Sequence, residues 1–157
     1  MTPTPAGPYP PTNELVAVAW LRTVAGIDPG QVATTLPKDP TTWAEAGFLQ
    51  ASAIIGGLPD RDGLGRHPLV QLDAWANGGA SGKPPWNLAN RLLELVRIAT
   101  EDAMIGHHGV AVALPTGYGG ARVLSAYLVT EPARVVDDPS GYARFTADLA
   151  LDWAPNE

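Results

Sequence analysis

HPLVQLDAWA, residues 67–76, forms the centre of the predicted core. Its apolar residues from Val70 to Ala76 alternate with Gln71, Asp73 and Trp75. Successive side chains of a strand point to opposite faces of a sheet, so this period of two is typical of a strand with one buried face. We therefore predict a strand at Leu69–Ala76 with one face against the core.

An amphipathic helix is predicted after the next glycine-rich loop, in PPWNLANRLLELVRIATEDA at residues 84–103. Its apolar face, at helical spacing, comprises Leu88, Leu92, Leu95, Val96 and Ala99. Its polar face comprises Asn90, Arg91, Glu94, Arg97 and Glu101. Pro84 and Pro85 suit the first turn, and Arg97 and Glu101, one turn apart, are expected to pair. This helix should pack on the sheet.

A first helix is predicted at Glu14–Ala25, with Thr12 or Asn13 as its cap and Gly26 as its stop. Apart from Glu14, Arg22 and Thr23, nearly all of its residues are apolar. One sheet face does not absorb that much apolar surface, so we expect this helix to be covered on two sides, with another subunit as one candidate cover.

The other strands are predicted at Gln31–Leu36, Phe48–Ile55, Val110–Leu114 and Ala121–Val129. Arg134–Val136 continues past Pro132, whose missing donor indicates a bulge or an edge. The alternation from Phe145 to Trp153 predicts a last strand, antiparallel to Arg134–Val136 across the turn DDPSG. The predicted fold is α+β, a mostly antiparallel or mixed sheet with two main helices packed on it, in the order αβββαβββ.

The composition indicates one domain at residues 12–157, preceded by an arm at residues 1–11 that holds five prolines. The absence of cysteine fits a reducing compartment or a particle assembled inside a cell. No apolar run approaches the roughly 20 residues of a membrane span. A net charge of −6 and ten scattered Lys and Arg residues argue against direct nucleic-acid binding and favour protein partners.

Motifs for catalysis and metal binding are incomplete. The loop Gly78–Lys83 lies where a phosphate-binding loop would, but its glycine spacing is one residue short and Pro84 replaces the hydroxyl residue that binds the metal. His107 and His108 are adjacent and remote from His67, so a shared metal is disfavoured. None of the candidate nucleophiles, Ser52, Ser81, Ser125 and Ser140, has a G-x-S-x-G setting. We predict no catalytic residues, no metal and no cofactor.

The order of these segments resembles the tail terminator family of long-tailed bacteriophages. The resemblance is based on VQLDAWA, the helix ANRLLELV and the closing strand RFTADLALDW, and it extends over roughly residues 13–153. The proline-rich arm and the glycine-rich turn at Gly117–Gly120 lie outside it.

The resemblance implies a virion structural protein without enzymatic activity. It would be assembled in the host cytoplasm and form a ring at the head-proximal end of the tail tube. The resemblance implies that this ring is a hexamer. Its partners would be other copies of itself, the tail tube protein and the head–tail connector, with no membrane. A closed ring requires two unlike faces on each subunit, and we expect these at the outer side of the helix Glu14–Ala25 and at a sheet edge. The expected contact residues are Arg22, Arg61, Asp62, Arg66, His67, Tyr118 and Arg122.

Two alternatives stay open at this stage. One is a head-completion or other neck protein of a phage with a similar small α+β fold. The other is a nucleotide-binding enzyme that uses Gly78–Lys83, for which the motif match is poor.

Overall fold

The computed structural model describes residues 7–43, 45–59, 65–78, 84–101 and 109–156. Within these residues the helices and strands follow one another in this order: α1 (Asn13–Leu21), β1 (Val32–Ala33), β2 (Phe48–Pro59), β3 (Arg66–Ala76), α2 (Trp86–Glu101), β4 (Val110–Val112), β5 (Gly120–Leu128), β6 (Ala133–Arg134) and β7 (Ala143–Asn156). The prediction of an α+β fold with two main helices is confirmed.

The seven strands form one sheet in the order β1-β2-β3-β7-β5-β4, and β6 pairs with the first part of β7. Only β1 and β2 run parallel, so the sheet is mixed and mostly antiparallel, as predicted. The structure contains one strand more than the predicted order αβββαβββ. Residues Ala133 and Arg134 form a strand of their own, antiparallel to β7, instead of continuing β5 past Pro132.

The central strand β3 begins at Arg66, three residues before the predicted start, and Pro68 lies inside it. Proline lacks the N–H that a central strand requires, and it is tolerated here because the β2–β3 register shifts between Ile54 and Leu58, opposite this position. The bulge also lets β2 continue through Gly56 and Gly57 to Pro59, so the predicted end at Ile55 is wrong.

Helix α1 is buried within its own chain. All residues from Val16 to Leu21 are at most 8% exposed, and the helix contacts β1, β2, β3, β4 and β5. The expectation that another subunit covers an apolar outer side is therefore wrong, because the curved sheet absorbs this surface. Thr12 is the cap, accepting a hydrogen bond from the Leu15 N–H at 3.2 Å, and the helix ends at Leu21 instead of Ala25.

Helix α2 covers the sheet with a wider apolar face than predicted. Its buried residues are Ala89, Leu92, Leu93, Val96 and Ala99, and Leu88 and Leu95 are partly buried. The helix packs mainly on β7, β3 and β5. The predicted pair forms, with Arg97 Nη1 2.9 Å from Glu101 Oε1. Neither helix of the described part of the chain is long and apolar enough to cross a membrane.

Of the remaining strands, β1 and β4 are shorter than predicted, β5 (Gly120–Leu128) is shifted by one residue, and β7 (Ala143–Asn156) is longer. The segment predicted as Gln31–Leu36 is reduced to Val32–Ala33, and Val110–Leu114 ends at Val112. The hairpin of β4 and β5 and the alternation of β7 are confirmed. The turn before β7 is closed by a bond from the Gly141 N–H to the Asp138 carbonyl, 3.0 Å.

Candidate protein-interaction surface

Both long hairpins lie at the same end of the sheet. In the register of β7, Arg66 at the start of β3 pairs with Trp153, and Gly120 at the start of β5 pairs with Asn156. The start of β3 and the turn between β4 and β5 therefore lie at the same end of the sheet. We call this end, residues 7–11, 65–67, 113–122 and 152–156, the hairpin end.

The hairpin end brings together Arg66, His67, Tyr118 and Arg122, which sequence reasoning selected as contact residues. His67, Tyr118 and Arg122 are exposed. Arg61 and Asp62, between β2 and β3, lie outside the described residues. The expected surface is thus formed from two segments that are distant in the sequence.

Arg22 does not belong to this surface. Its guanidinium Nη2 donates to the Val32 carbonyl at 3.0 Å and ties the end of α1 to β1. Val32 pairs with Leu49, which lies opposite Ala74, so this contact is at the other end of β3 from Arg66. Arg22 is exposed and lies apart from the hairpin end, and its expected role as a contact residue stays a prediction.

The N-terminal arm docks on the β4–β5 hairpin. The Tyr9 N–H donates to the Gly117 carbonyl at 3.3 Å, and the Gly119 N–H donates to the Tyr9 carbonyl at 2.7 Å. These two bonds form a parallel bridge between Tyr9 and Tyr118. The two tyrosine side chains remain 54% and 39% exposed. Exposed tyrosines with a fixed backbone are typical of protein-binding surfaces because they offer contact area at low entropic cost.

Arg66 lies over a buried tryptophan at the hairpin end. Its guanidinium carbon is 5.3 Å from the Trp153 ring centre, and that indole is fully buried. The indole N–H donates to Asn13 Oδ1 at 2.9 Å, which connects β7 to the first turn of α1. The predicted alternation includes Trp153, but sequence reasoning missed Asn13 as its partner.

His67 belongs to a short polar chain on the face of the sheet away from the helices. Its Nδ1 is 2.7 Å from Asp152 Oδ1, and the Ser125 hydroxyl donates to Asp152 Oδ2 at 2.7 Å. The carboxylate lies between the hydroxyl and the imidazole, whereas a catalytic triad needs the imidazole beside the hydroxyl. This arrangement fastens β3, β7 and β5 together and leaves Ser125 without a base.

These contacts make stability depend on pH. Burial raises the pKa of the Asp152 carboxyl, but hydrogen bonds from Ser125 and His67 outweigh it and hold the pKa below its ordinary 3.8. A lowered pKa stabilises the fold above the unfolded-state value, and this contribution is lost as the pH falls through the folded-state value. When the pH is lowered from about 5 to about 3, we expect the free energy of unfolding to fall less for Asp152→Asn than for the wild type. Denaturant titrations at each pH measure this difference.

Ser125→Ala is the matched variant for this measurement. It removes one hydrogen bond and keeps the carboxylate, so its acid sensitivity should be intermediate. An Asp152→Asn profile as steep as that of the wild type would contradict this role of Asp152.

Candidate metal and cofactor sites lie partly inside and partly outside the described residues. Among the described residues no group of three or more His, Asp or Glu side chains is arranged to hold a metal. His107, His108 and most of the loop Gly78–Lys83, from residue 79 onward, lie outside the described residues. The predictions about them stay predictions.

A second polar cluster, which sequence reasoning missed, lies at the opposite end of the sheet. Asp73 is 4% exposed, and its Oδ1 accepts from Arg144 Nε at 2.9 Å, while its Oδ2 accepts from Gln71 at 2.9 Å. Arg144 also lies 4.9 Å from the Trp75 ring centre and 3.3 Å from Asp138 Oδ1. The alternation showed Asp73 facing away from the helices, but only the β3–β7 register reveals Arg144 beside it.

The molecule is a sheet-dominated α+β domain in which the exposed His67, Tyr118 and Arg122 lie at one end of the sheet. No protein-family model matches the chain, and no curated protein matches it. Among solved structures, the chain is similar to one described as the virion of a native gene transfer agent particle. The two are 13% identical with a TM-score of 0.51, over 90% of this chain and 89% of that chain. At this identity the similarity shows the fold alone.

Proposed function

We propose that this chain is a structural component of a phage-like virion, located in the particle and without enzymatic activity. The observation that carries the proposal is the similarity to a virion chain over nearly the whole length of both. The placement of the exposed Tyr9, Tyr118 and Arg122 at one end of the fold agrees with a role in protein contacts.

Within the virion, we propose that the chain caps the head-proximal end of the tail tube as a ring. The resemblance of VQLDAWA, ANRLLELV and RFTADLALDW to tail terminators supports this finer assignment. The ring would end tube polymerisation and offer a surface to the head connector. Because α1 is buried, the unlike faces of the subunit are the hairpin end and the sheet edges, where β1 covers only Leu49 and Gln50 of β2.

Mass measurement and electron microscopy of the purified protein test the ring. We expect six copies, formed alone or on addition of tube protein, and a block of tube elongation when the chain is added to polymerising tube subunits. A head-completion or neck protein would leave tube elongation unchanged. A strict monomer that ignores tube protein would contradict the ring.

The hairpin end should contain the tube or connector contact. We expect Arg122→Glu to weaken that association about tenfold, because reversing an exposed arginine at an interface replaces attraction with repulsion. The melting temperature should stay unchanged, since Arg122 is exposed. Arg91→Glu, an exposed arginine on α2, is the matched control. Equal weakening by both variants, measured by co-sedimentation with tube protein, would mean that the effect is general electrostatics.

A further inference from the structure

We infer that the N-terminal arm is exchanged between copies, so that residues 7–10 of one subunit dock on the β4–β5 hairpin of the next. The contact would be the one that Tyr9 makes with Gly117 and Gly119 within a single chain. The inference rests on the proposed assembly into a ring and names the contact that links its subunits.

The first support is the small size of the contact within one chain. Tyr9 is attached through its backbone, by bonds of 3.3 and 2.7 Å, while its side chain is more than half exposed. Residues 7–10 are all exposed, and burial begins at Pro11, just before the cap of α1. Moving the arm to another hairpin therefore uncovers little apolar surface, and the same two bonds re-form there.

The second support is the backbone of the arm. Pro8, Pro10 and Pro11 fix φ near the extended value of a polyproline helix, so the arm loses little entropy when it docks on another molecule. A Cβ atom built on Gly7 would meet no atom within 4 Å. The space beside Gly7 is therefore open to a neighbouring copy.

The third support is charge. Each copy carries a net charge of −6, so two copies repel each other over most of their surfaces. Residues 7–11 hold no charged side chain, and residues 113–121 hold none either. An uncharged arm on an uncharged hairpin is a contact between copies that avoids this repulsion. Each chain offers one arm and one hairpin, so the contact is head-to-tail and can close into a ring.

Disulfide trapping tests the exchange, because the chain contains no native cysteine. Tyr9→Cys and Tyr118→Cys are made as separate full-length chains and mixed under mild oxidation. Bridged strands lie about 4.8 Å apart, within the range of Cα separations that a disulfide spans. We expect a disulfide-linked pair of chains at about fivefold the control yield or more, because docking holds the thiols at a high effective concentration.

The control pairs Tyr9→Cys with Tyr127→Cys, a tyrosine near the other end of β5 that is 51% exposed, somewhat more than Tyr118. A Tyr9→Cys/Tyr118→Cys double variant shows whether the bridge forms at all. The exchange is overturned if the double variant forms its disulfide within single chains and the mixed single variants give no more linked pairs than the control. If the wild type forms a ring under the same conditions, that result leaves the proposed function intact, whereas a wild type that stays monomeric with tube protein contradicts both.

Discussion

Arg144→Met is expected to lower the free energy of unfolding by about 3–5 kcal/mol, the usual cost of removing one partner from a buried ion pair. Asp73 is 4% exposed, and Arg144 reaches its Oδ1 with two nitrogens, each at 2.9 Å. Methionine fills much of the volume but leaves this carboxylate without its cation. Asp138 loses its 3.3 Å contact with the same guanidinium. Denaturant unfolding monitored by tryptophan fluorescence measures the change.

The matched control is Arg134→Met. Arg134 lies 5.1 Å from the Trp86 ring centre, much as Arg144 lies over Trp75, but it is exposed. We expect it to cost no more than about 1 kcal/mol, the worth of an exposed cation–π contact. The double variant Asp73→Leu/Arg144→Met should recover much of the loss, because it removes the unpaired charge. If it is no more stable than Arg144→Met alone, the unpaired carboxylate is not the cause.

The parts of the fold that the sequence predicts well are those in which one periodic pattern extends over many residues. The alternation from Val70 to Ala76 and from Phe145 to Trp153, and the helical spacing of α2, predict elements that the structure contains. In each case a single buried face imposes the pattern, so local sequence is sufficient. Boundaries are less predictable, because β2 extends past Ile55 through a bulge in its pairing with β3, which the sequence of β2 alone does not reveal.

Two other errors arise from tertiary contacts that local patterns do not contain. The apolar surplus of α1 suggests a subunit interface, yet five strands of the same chain contact it. The sequence places Asp73 on the strand face opposite the apolar one, yet Arg144 and Gln71 hydrogen-bond to it and it is only 4% exposed. The contact residues around the hairpins were predicted as two separate loops. Only the pairing of β3, β7 and β5 puts Arg66, His67 and Arg122 at one end.

Trp153→Ala should also be among the most damaging changes, at about 3–5 kcal/mol of unfolding free energy. The side chain is fully buried, so its removal leaves a cavity between β7 and the start of α1. It also takes away the ring beneath Arg66 and the 2.9 Å hydrogen bond to Asn13. Because these contacts hold the base of the hairpin end, we further expect weaker binding to tube protein under conditions where the variant is still folded.

Two variants separate packing from hydrogen bonding at this position. Trp153→Phe keeps most of the packing but removes the indole N–H, whereas Asn13→Ala leaves that N–H buried without its acceptor. An unsatisfied buried donor costs about 1–3 kcal/mol, so Asn13→Ala is expected to be nearly as harmful as the phenylalanine variant although it leaves the indole ring in place. Trp86→Ala, at a half-buried tryptophan at the start of α2, is the matched control and should cost clearly less than Trp153→Ala. If Trp153→Ala and Trp86→Ala lose equal stability, burial at the base of the hairpin end is not what makes Trp153 important. The expected link between Trp153 and partner binding would then fail as well.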